Sequence, residues 1–262
     1  MRKFLRLSYD GTAFHGWQRQ PYDISVQQAL EEALTTLLRT ETTLTGAGRT
    51  DTGVHARTMY AHFDAATDTA IAVLGDKKRF LTGLNRLCGH HIAVHDLIDV
   101  QDDAHARFDA TSRSYKYFVT FAKSPFLRGV SWHSPSFLDM VAMNEAAALL
   151  TRTADFTSFA KLHSDAKTNI CKVTEASWEE WHNEYGTPGI VFTITADRFL
   201  RNMVRAVVGT LVEVGRSKLT IEGFKEIIEK KDRCAAGTSM PPQALFLRDI
   251  TYPYIRQAYG KE

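Results

Sequence analysis

The sequence predicts an α+β fold, a mainly antiparallel sheet covered by helices. Two observations predict it, and a third excludes a membrane span. Hairpin-type segments with period-two alternation are interleaved with segments of helical period. The regular strand–helix alternation of a doubly wound parallel sheet is missing. No window approaches the roughly 18 consecutive apolar residues of a membrane span. With 262 residues, 44% of them apolar and 24% charged, the chain reads as one large or two small globular domains that do not cross a bilayer.

The elements follow in order. Lys3 to Tyr9 mixes apolar and basic residues and reads as a first strand. Asp10-Gly11 closes it before an apolar run of about 7 residues could form a secretion signal. Ser25 caps a helix, with Gln28 in capping-box position and Val26, Leu30, Ala33, Leu34 and Leu37 at helical spacing. Met59 to Phe63 and Ile92 to Ile98 read as strands, with a short helix around Phe80 to Leu87 between them. A second unit begins near Arg107. There Ser114 to Phe121 alternates, with Tyr115, Tyr117, Val119 and Phe121 on one side and Lys116 and Thr120 on the other. Helical spacing returns from Asp139 to Leu150, strands at Val173 to Trp181 and Ile190 to Thr195, and helices from about Phe199 to Val214 and from Thr220 to Lys231. Leu245 to Tyr252 closes the set as a strand. The expected halves are residues 1–104 and 105–262; no repeat or low-complexity linker separates them, so a shared sheet or broad interface is expected.

Lysine and arginine number 32 against 30 acidic residues, a net +2 that neither demands nor excludes a polyanionic partner. The cysteines, Cys88, Cys171 and Cys234, lie far apart, which excludes a disulfide framework and a zinc site built on paired cysteines. A reducing, cytoplasmic setting fits.

The most unusual stretch runs from Gly46 to Ala56, between a helix and a strand. Three glycines allow sharp turns and close approach, and Arg49 and Asp51 bring opposite charges into one short loop. An arginine favours the ionised carboxylate, which suits Asp51 to act as nucleophile or base rather than acid. A lone Arg-x-Asp is more often a turn with a surface ion pair. The third glycine of a dinucleotide fingerprint and the Gly-Lys-Ser/Thr of a P-loop are absent, so no nucleotide cofactor is expected. The Pro-Cys-x-x-Cys of a zinc deaminase and a Gly-x-Ser-x-Gly elbow are absent too. His90-His91 and Asp51 with His55 lack a matching ligand set, and no metal is expected.

Two further features bear on binding. On a helix starting near Asp197, Arg198, Arg201 and Arg205 fall in one narrow sector, and Phe199, Met203, Val207 and Leu211 in another. Such a stripe is usually a solvated face; it also suits phosphates or a buried carboxylate. Thr111 to Phe118 interleaves aromatic and basic residues. Tyr117 reads as core, whereas Tyr115 can stack on an unpaired base. Tyr9-Asp10-Gly11 with Gly16-Trp17-Gln18-Arg19-Gln20 adds an aromatic, basic, glycine-rich loop. Together they look more like an RNA-contacting surface than a small-metabolite pocket.

These blocks resemble, in order, those of the TruA family of tRNA pseudouridine synthases. The resemblance runs through Tyr9-Asp10-Gly11-Thr12, Gly16-Trp17-Gln18-Arg19-Gln20, Ser25-Val26-Gln27, Gly48-Arg49-Thr50-Asp51, Gly53-Val54-His55-Ala56 and His62-Phe63. It continues through Arg107-Phe108-Asp109-Ala110, Arg113 with Tyr115 and Tyr117, Asp155-Phe156-Thr157-Ser158-Phe159, and Phe199 to Gly209. It implies two ferredoxin-like or RNA-recognition-like halves around a central basic cleft, acting as a homodimer on tRNA without metal or organic cofactor. The implied reaction isomerises uridine to pseudouridine at positions 38, 39 or 40 of the anticodon stem-loop. Asp51 would be the nucleophile, Arg49 and Arg205 its positioning partners, Tyr115 the residue stacked on the target base, and Arg198 and Arg201 substrate contacts. The carboxylate would act on the sugar or on C6 of the base. Thr52 stands where the family usually has alanine, and Cys88 where proline is usual.

Two other readings compete: an RNA-binding protein that has lost the chemistry, opposed by the intact Asp51 loop, and a small-molecule enzyme of similar fold, for which the arginines would be superfluous.

Overall fold

The computed structural model describes residues 1–162 and 167–255. Its class is α+β, with mixed but mostly antiparallel strand pairing and six α-helices among the described residues. The described chain forms two compact units: Met1–Thr111 with residues 247–255, and Ser112–Phe246.

In the first unit β1 (Arg2–Tyr9) pairs antiparallel with β3 (His55–Asp64) on one side and β4 (Ile92–Asp99) on the other, so Leu5 lies between Ala61 and Leu97. A two-residue β2 (Thr45–Gly46) pairs with β3, opposite His62 and Ala61. Strand β9 (Leu245–Thr251) follows β3 in the strand order. Leu5, Leu7 and Tyr9 are buried on alternate positions of β1, and Phe4 is buried on the opposite face, against the His62 and Tyr252 rings. Both faces of this strand are therefore covered.

Helix α1 (Val26–Leu38) starts where the sequence places it. Ser25 Oγ accepts from the Gln28 amide at 3.2 Å, and Val26, Leu30, Ala33 and Leu34 are buried. Arg39, in the left-handed region at φ 55°, ends it. The segment expected to hold one short helix holds two, α2 (Asp68–Leu74) and α3 (Lys77–Leu87). Asp76 caps α3 through the Arg79 amide, so the helix starts at Lys77, three residues before the expected Phe80. Its basic first turn carries no apolar signal, and α3 buries only Phe80 and Leu84.

In the second unit β8 (Gly189–Ala196) lies between β5 (Ser112–Thr120) and β7 (Val173–Glu180), antiparallel to both. A short β6 (Trp132–His133) runs parallel to the end of β5. Helix α4 (Met140–Leu150) packs on β7, and α5 (Met203–Gly215) is buried along almost its whole length. Gly209 of α5 is required by close approach: a Cβ there would stand 1.9 Å from the Thr238 carbonyl oxygen. Helix α6 (Ile221–Lys230), capped by Thr220, buries Phe224 and Ile227.

One sequence expectation fails here. Asn202, at φ 65°, sits in the left-handed region immediately before α5, and an α-helix does not propagate through such a residue. Arg198 and Arg201 therefore precede the helix in the turn that leaves β8. Only Arg205 rides on it, so the common sector of three arginines does not form.

Candidate active site

The Asp51 loop joins β2 to β3 in the first unit, and its path is set by its neighbours. The first amides of α1 donate to the loop before it: Val26 N–H to Gly16 O at 3.2 Å and Gln27 N–H to Trp17 O at 3.0 Å. Trp17 N–H in turn donates to Thr50 O at 3.2 Å, and the Thr50 hydroxyl lies 2.8 Å from the Tyr9 hydroxyl. A chain of contacts thus runs from the start of a helix to the residue beside Asp51. On the far side, Val54 N–H closes a turn onto Asp51 O at 3.1 Å, with Gly53 at φ +77°.

The close fit explains Gly16. It has φ +86°, and a Cβ on it would lie 2.5 Å from Thr50 O. Within this frame Asp51 is half-buried, while Arg49 and Thr52 are exposed.

His55, at the start of β3, is buried. Its Nδ1 lies 3.1 Å from both the Gly11 amide nitrogen and Asp10 Oδ1. Asp10 Oδ2 lies 3.4 Å from His91 Nδ1. Burial acts to raise the Asp10 pKa, but the hydroxyl and amide of Thr12 and the two imidazoles outweigh it and hold the carboxyl below its usual range. In the sequence Asp10 reads as a turn residue and part of the Tyr9-Asp10-Gly11 block; nothing there reports its place beside His55 and His91. Among the described residues no group of three His, Cys, Asp or Glu side chains is arranged to hold a metal.

In the loop at residues 16–20 the aromatic part of the expected RNA-contacting surface is buried, while Gln18, Arg19 and Gln20 are exposed. Trp17 is 1% exposed and packs against Gly46, and Tyr9 is 4% exposed. Arg19 pairs with the buried Glu31 at 3.0 Å. The close approach of Gly46 leaves a slot that the Trp17 indole fills, and the Tyr9 ring lies 6.1 Å from that indole.

The second unit carries the other expected residues. Tyr117 is fully buried, with its hydroxyl donating to Pro241 O at 3.1 Å and its pKa pushed up by burial. Tyr115, two residues earlier on β5, is half-buried, and its ring meets Phe199 edge-on at 5.0 Å and 85°. The sequence distinction between these two tyrosines therefore has a structural counterpart. Arg113 Nη1 donates to Asp197 O at 2.8 Å, and the Asp197 carboxylate accepts from the Arg198 and Lys172 amides. This fixes the turn that bears Arg198, Phe199 and the exposed Arg201. Arg205, in the first turns of α5, donates from Nε to Met240 O at 2.6 Å, while Met240 N–H returns to Arg205 O at 3.1 Å. So Arg49 and Asp51 share one loop of the first unit, and Tyr115, Arg198, Arg201 and Arg205 belong to the second.

A family model described as tRNA pseudouridine synthase matches residues 146–253. A protein of Bacteroides thetaiotaomicron named tRNA pseudouridine synthase A is 54% identical over 252 residues, covering 96% of this chain and 91% of its own. One of the same name from Parabacteroides distasonis is also 54% identical, covering 96% of each chain. One from Geobacter sulfurreducens is 40% identical, covering 95% of this chain and 98% of its own.

Proposed function

The chain belongs to the tRNA pseudouridine synthase A family, and from that membership of a family of isomerases we propose a reaction at uridines 38, 39 or 40 of the tRNA anticodon stem-loop, with Asp51 as nucleophile. The observation that carries the assignment of Asp51 is its half-buried place in a loop clamped on both sides, by Thr50 to Trp17 and Tyr9 and by Val54. A carboxylate so held does not have to be ordered when substrate binds.

The reaction breaks the bond between uracil N1 and ribose C1′, turns the base, and joins C5 to C1′, after which the C5 hydrogen leaves as a proton. Asp51 takes part by bonding to C1′ as N1 leaves and being displaced when C5 attacks, or by adding to C6 of the base and being eliminated again; either route ends with C5 losing its proton and N1 gaining one. Arg49 and Arg205 are assigned to positioning carboxylate and substrate, and Tyr115 to stacking on the extruded uracil. Extrusion costs a few kcal/mol, which a stacked ring offsets by about 1–3 kcal/mol. Arg198 and Arg201 are assigned to phosphates. The reading includes what the family resemblance implies beyond this: ferredoxin-like halves, a basic cleft, a homodimer in the cytoplasm, and no metal or organic cofactor. The division of the chain at residues 104 and 105 is part of the same proposal.

Tritium release from tRNA labelled at uridine C5 tests the assignment. The native protein is expected to release tritium, and Asp51→Ala to release none while binding tRNA with near-native affinity. Release by the variant would remove Asp51 from its role, and binding without release by the native protein would favour a noncatalytic RNA-binding protein.

A further inference from the structure

The stretch from Lys77 to His95 contains four lysines and arginines, three histidines and no carboxylate, in a chain whose net charge is only +2. Three of those cations, Lys77, Lys78 and Arg79, stand in the first turn of α3. That is the positive end of the helix dipole, where like charge is unfavourable by about 0.3–1 kcal/mol per residue. Asp76 at the cap offsets part of this, and Lys77 is paired with Asp96 at 2.5 Å. Among the described residues Lys78, Arg79 and Arg86 form no ion pair. The arrangement costs stability as it stands, and an external polyanion would relieve it.

The geometry suits a linear polyanion. Lys78, Thr82 and Arg86 follow at intervals of four along one side of α3 and, with His95 of β4, line a shallow recess of about 630 Å³. Eight residues at about 1.5 Å rise make this row about 12 Å long. A row of that length reaches more than one phosphate of a single strand. The row is also held rigidly, because Asn85 between Thr82 and Arg86 binds both the N–H and the carbonyl of Val94 on β4. In strand order β4 is separated by β1 from β3, the strand that the Asp51 loop enters, a displacement of two strand spacings or about 10 Å.

We propose that this face of α3 is a docking surface for the phosphate backbone of tRNA, separate from the Asp51 loop, adding affinity and contributing nothing to the chemical step. The proposal rests on the tRNA reading above. Free phosphates on a flexible, hydrated groove edge need only point charges, and lysine and arginine on a braced helix supply them.

The test is the double variant Lys78→Gln/Arg86→Gln in the full chain, with tRNA binding and steady-state turnover measured from 50 to 200 mM salt. The slope of log affinity against log salt is expected to become shallower by about 1.4–1.8, from two lost contacts at about 0.7–0.9 each. The affinity advantage of the native protein should then shrink roughly tenfold across that range. KM should rise at low salt with kcat at saturating tRNA unchanged, and Lys78→Arg/Arg86→Lys should restore both slope and KM. Unchanged slope and KM would overturn the proposal, as would a fall in kcat alone. Loss of binding to phosphatidylserine vesicles with unaltered tRNA binding would overturn it too, assigning the face to anionic membrane. Because the native protein serves as reference in turnover, a failure of the docking surface is distinguishable from absence of pseudouridine formation altogether.

Discussion

Asn85 on α3 closes the edge of β4 by binding one residue twice: its Nδ2 donates to Val94 O at 2.8 Å and its Oδ1 accepts Val94 N–H at 2.7 Å. The second unit repeats the device, with Asn144 of α4 binding Trp178 O at 3.0 Å and Trp178 N–H at 2.7 Å on β7. Both strands are outermost in the strand order. An outer strand exposes unpaired backbone groups, and a helix asparagine satisfies one pair while fixing the helix against the sheet. Asn85→Leu leaves both groups of the buried Val94 without that partner. It should lower stability by about 1–3 kcal/mol, read as a reduced melting temperature. A variant melting with the native protein would show that water replaces the amide.

Gly16 offers a cleaner separation of loop geometry from folding. Alanine there meets both a left-handed backbone, which disfavours side chains by about 1–2 kcal/mol, and the Thr50 carbonyl at 2.5 Å. The loop bearing Asp51 must shift to admit it. Gly16→Ala is expected to keep most of its helix signal on circular dichroism while turnover falls roughly tenfold to a hundredfold, since small misplacements of a catalytic group are costly. Native turnover in this variant would mean that the Trp17–Thr50 contact does not position Asp51.

The stacking role proposed for Tyr115 depends on its ring rather than its hydroxyl. Tyr115→Phe should therefore retain most turnover, and Tyr115→Ala should lose a factor of roughly 5 to 150, the kinetic equivalent of about 1–3 kcal/mol. Single-turnover measurement at saturating tRNA reads both. Equal loss in the two variants would assign the function to the hydroxyl.

Much of this architecture was legible because it depends on local signals. Ser25 announced α1 through its cap, and Tyr115 and Tyr117 announced β5 through alternation, even distinguishing the buried ring from the half-buried one. Long-range packing was not legible. Trp17 looked like a surface aromatic, yet the slot that buries it is made by Gly46, twenty-nine residues away. Helix α5 begins late because Asn202 adopts φ 65°, a conformation that helical spacing in the sequence does not report. The paired asparagines were equally silent, since each acts on a strand 9 or 34 residues distant.

His62 makes the last expectation one of pH. It is buried on β3, and its Nδ1 accepts the Ala106 N–H at 3.1 Å, which requires that nitrogen to be unprotonated. Burial, with Arg2 and His105 nearby, pushes its pKa down to about 4 from 6.5. A group whose folded pKa is depressed stabilises the fold above its unfolded pKa and loses that contribution as pH falls through the folded value. The stabilisation from neutral His62 is therefore complete above about pH 6.5 and gone near pH 4, a loss on the order of 3 kcal/mol. His62→Gln keeps an acceptor for Ala106 but cannot take up the proton. Urea unfolding at pH 7 and pH 5 should show a smaller drop in stability for the variant than for the native protein. Equal drops would place the acid sensitivity in other groups and leave His62 to its packing against Phe4.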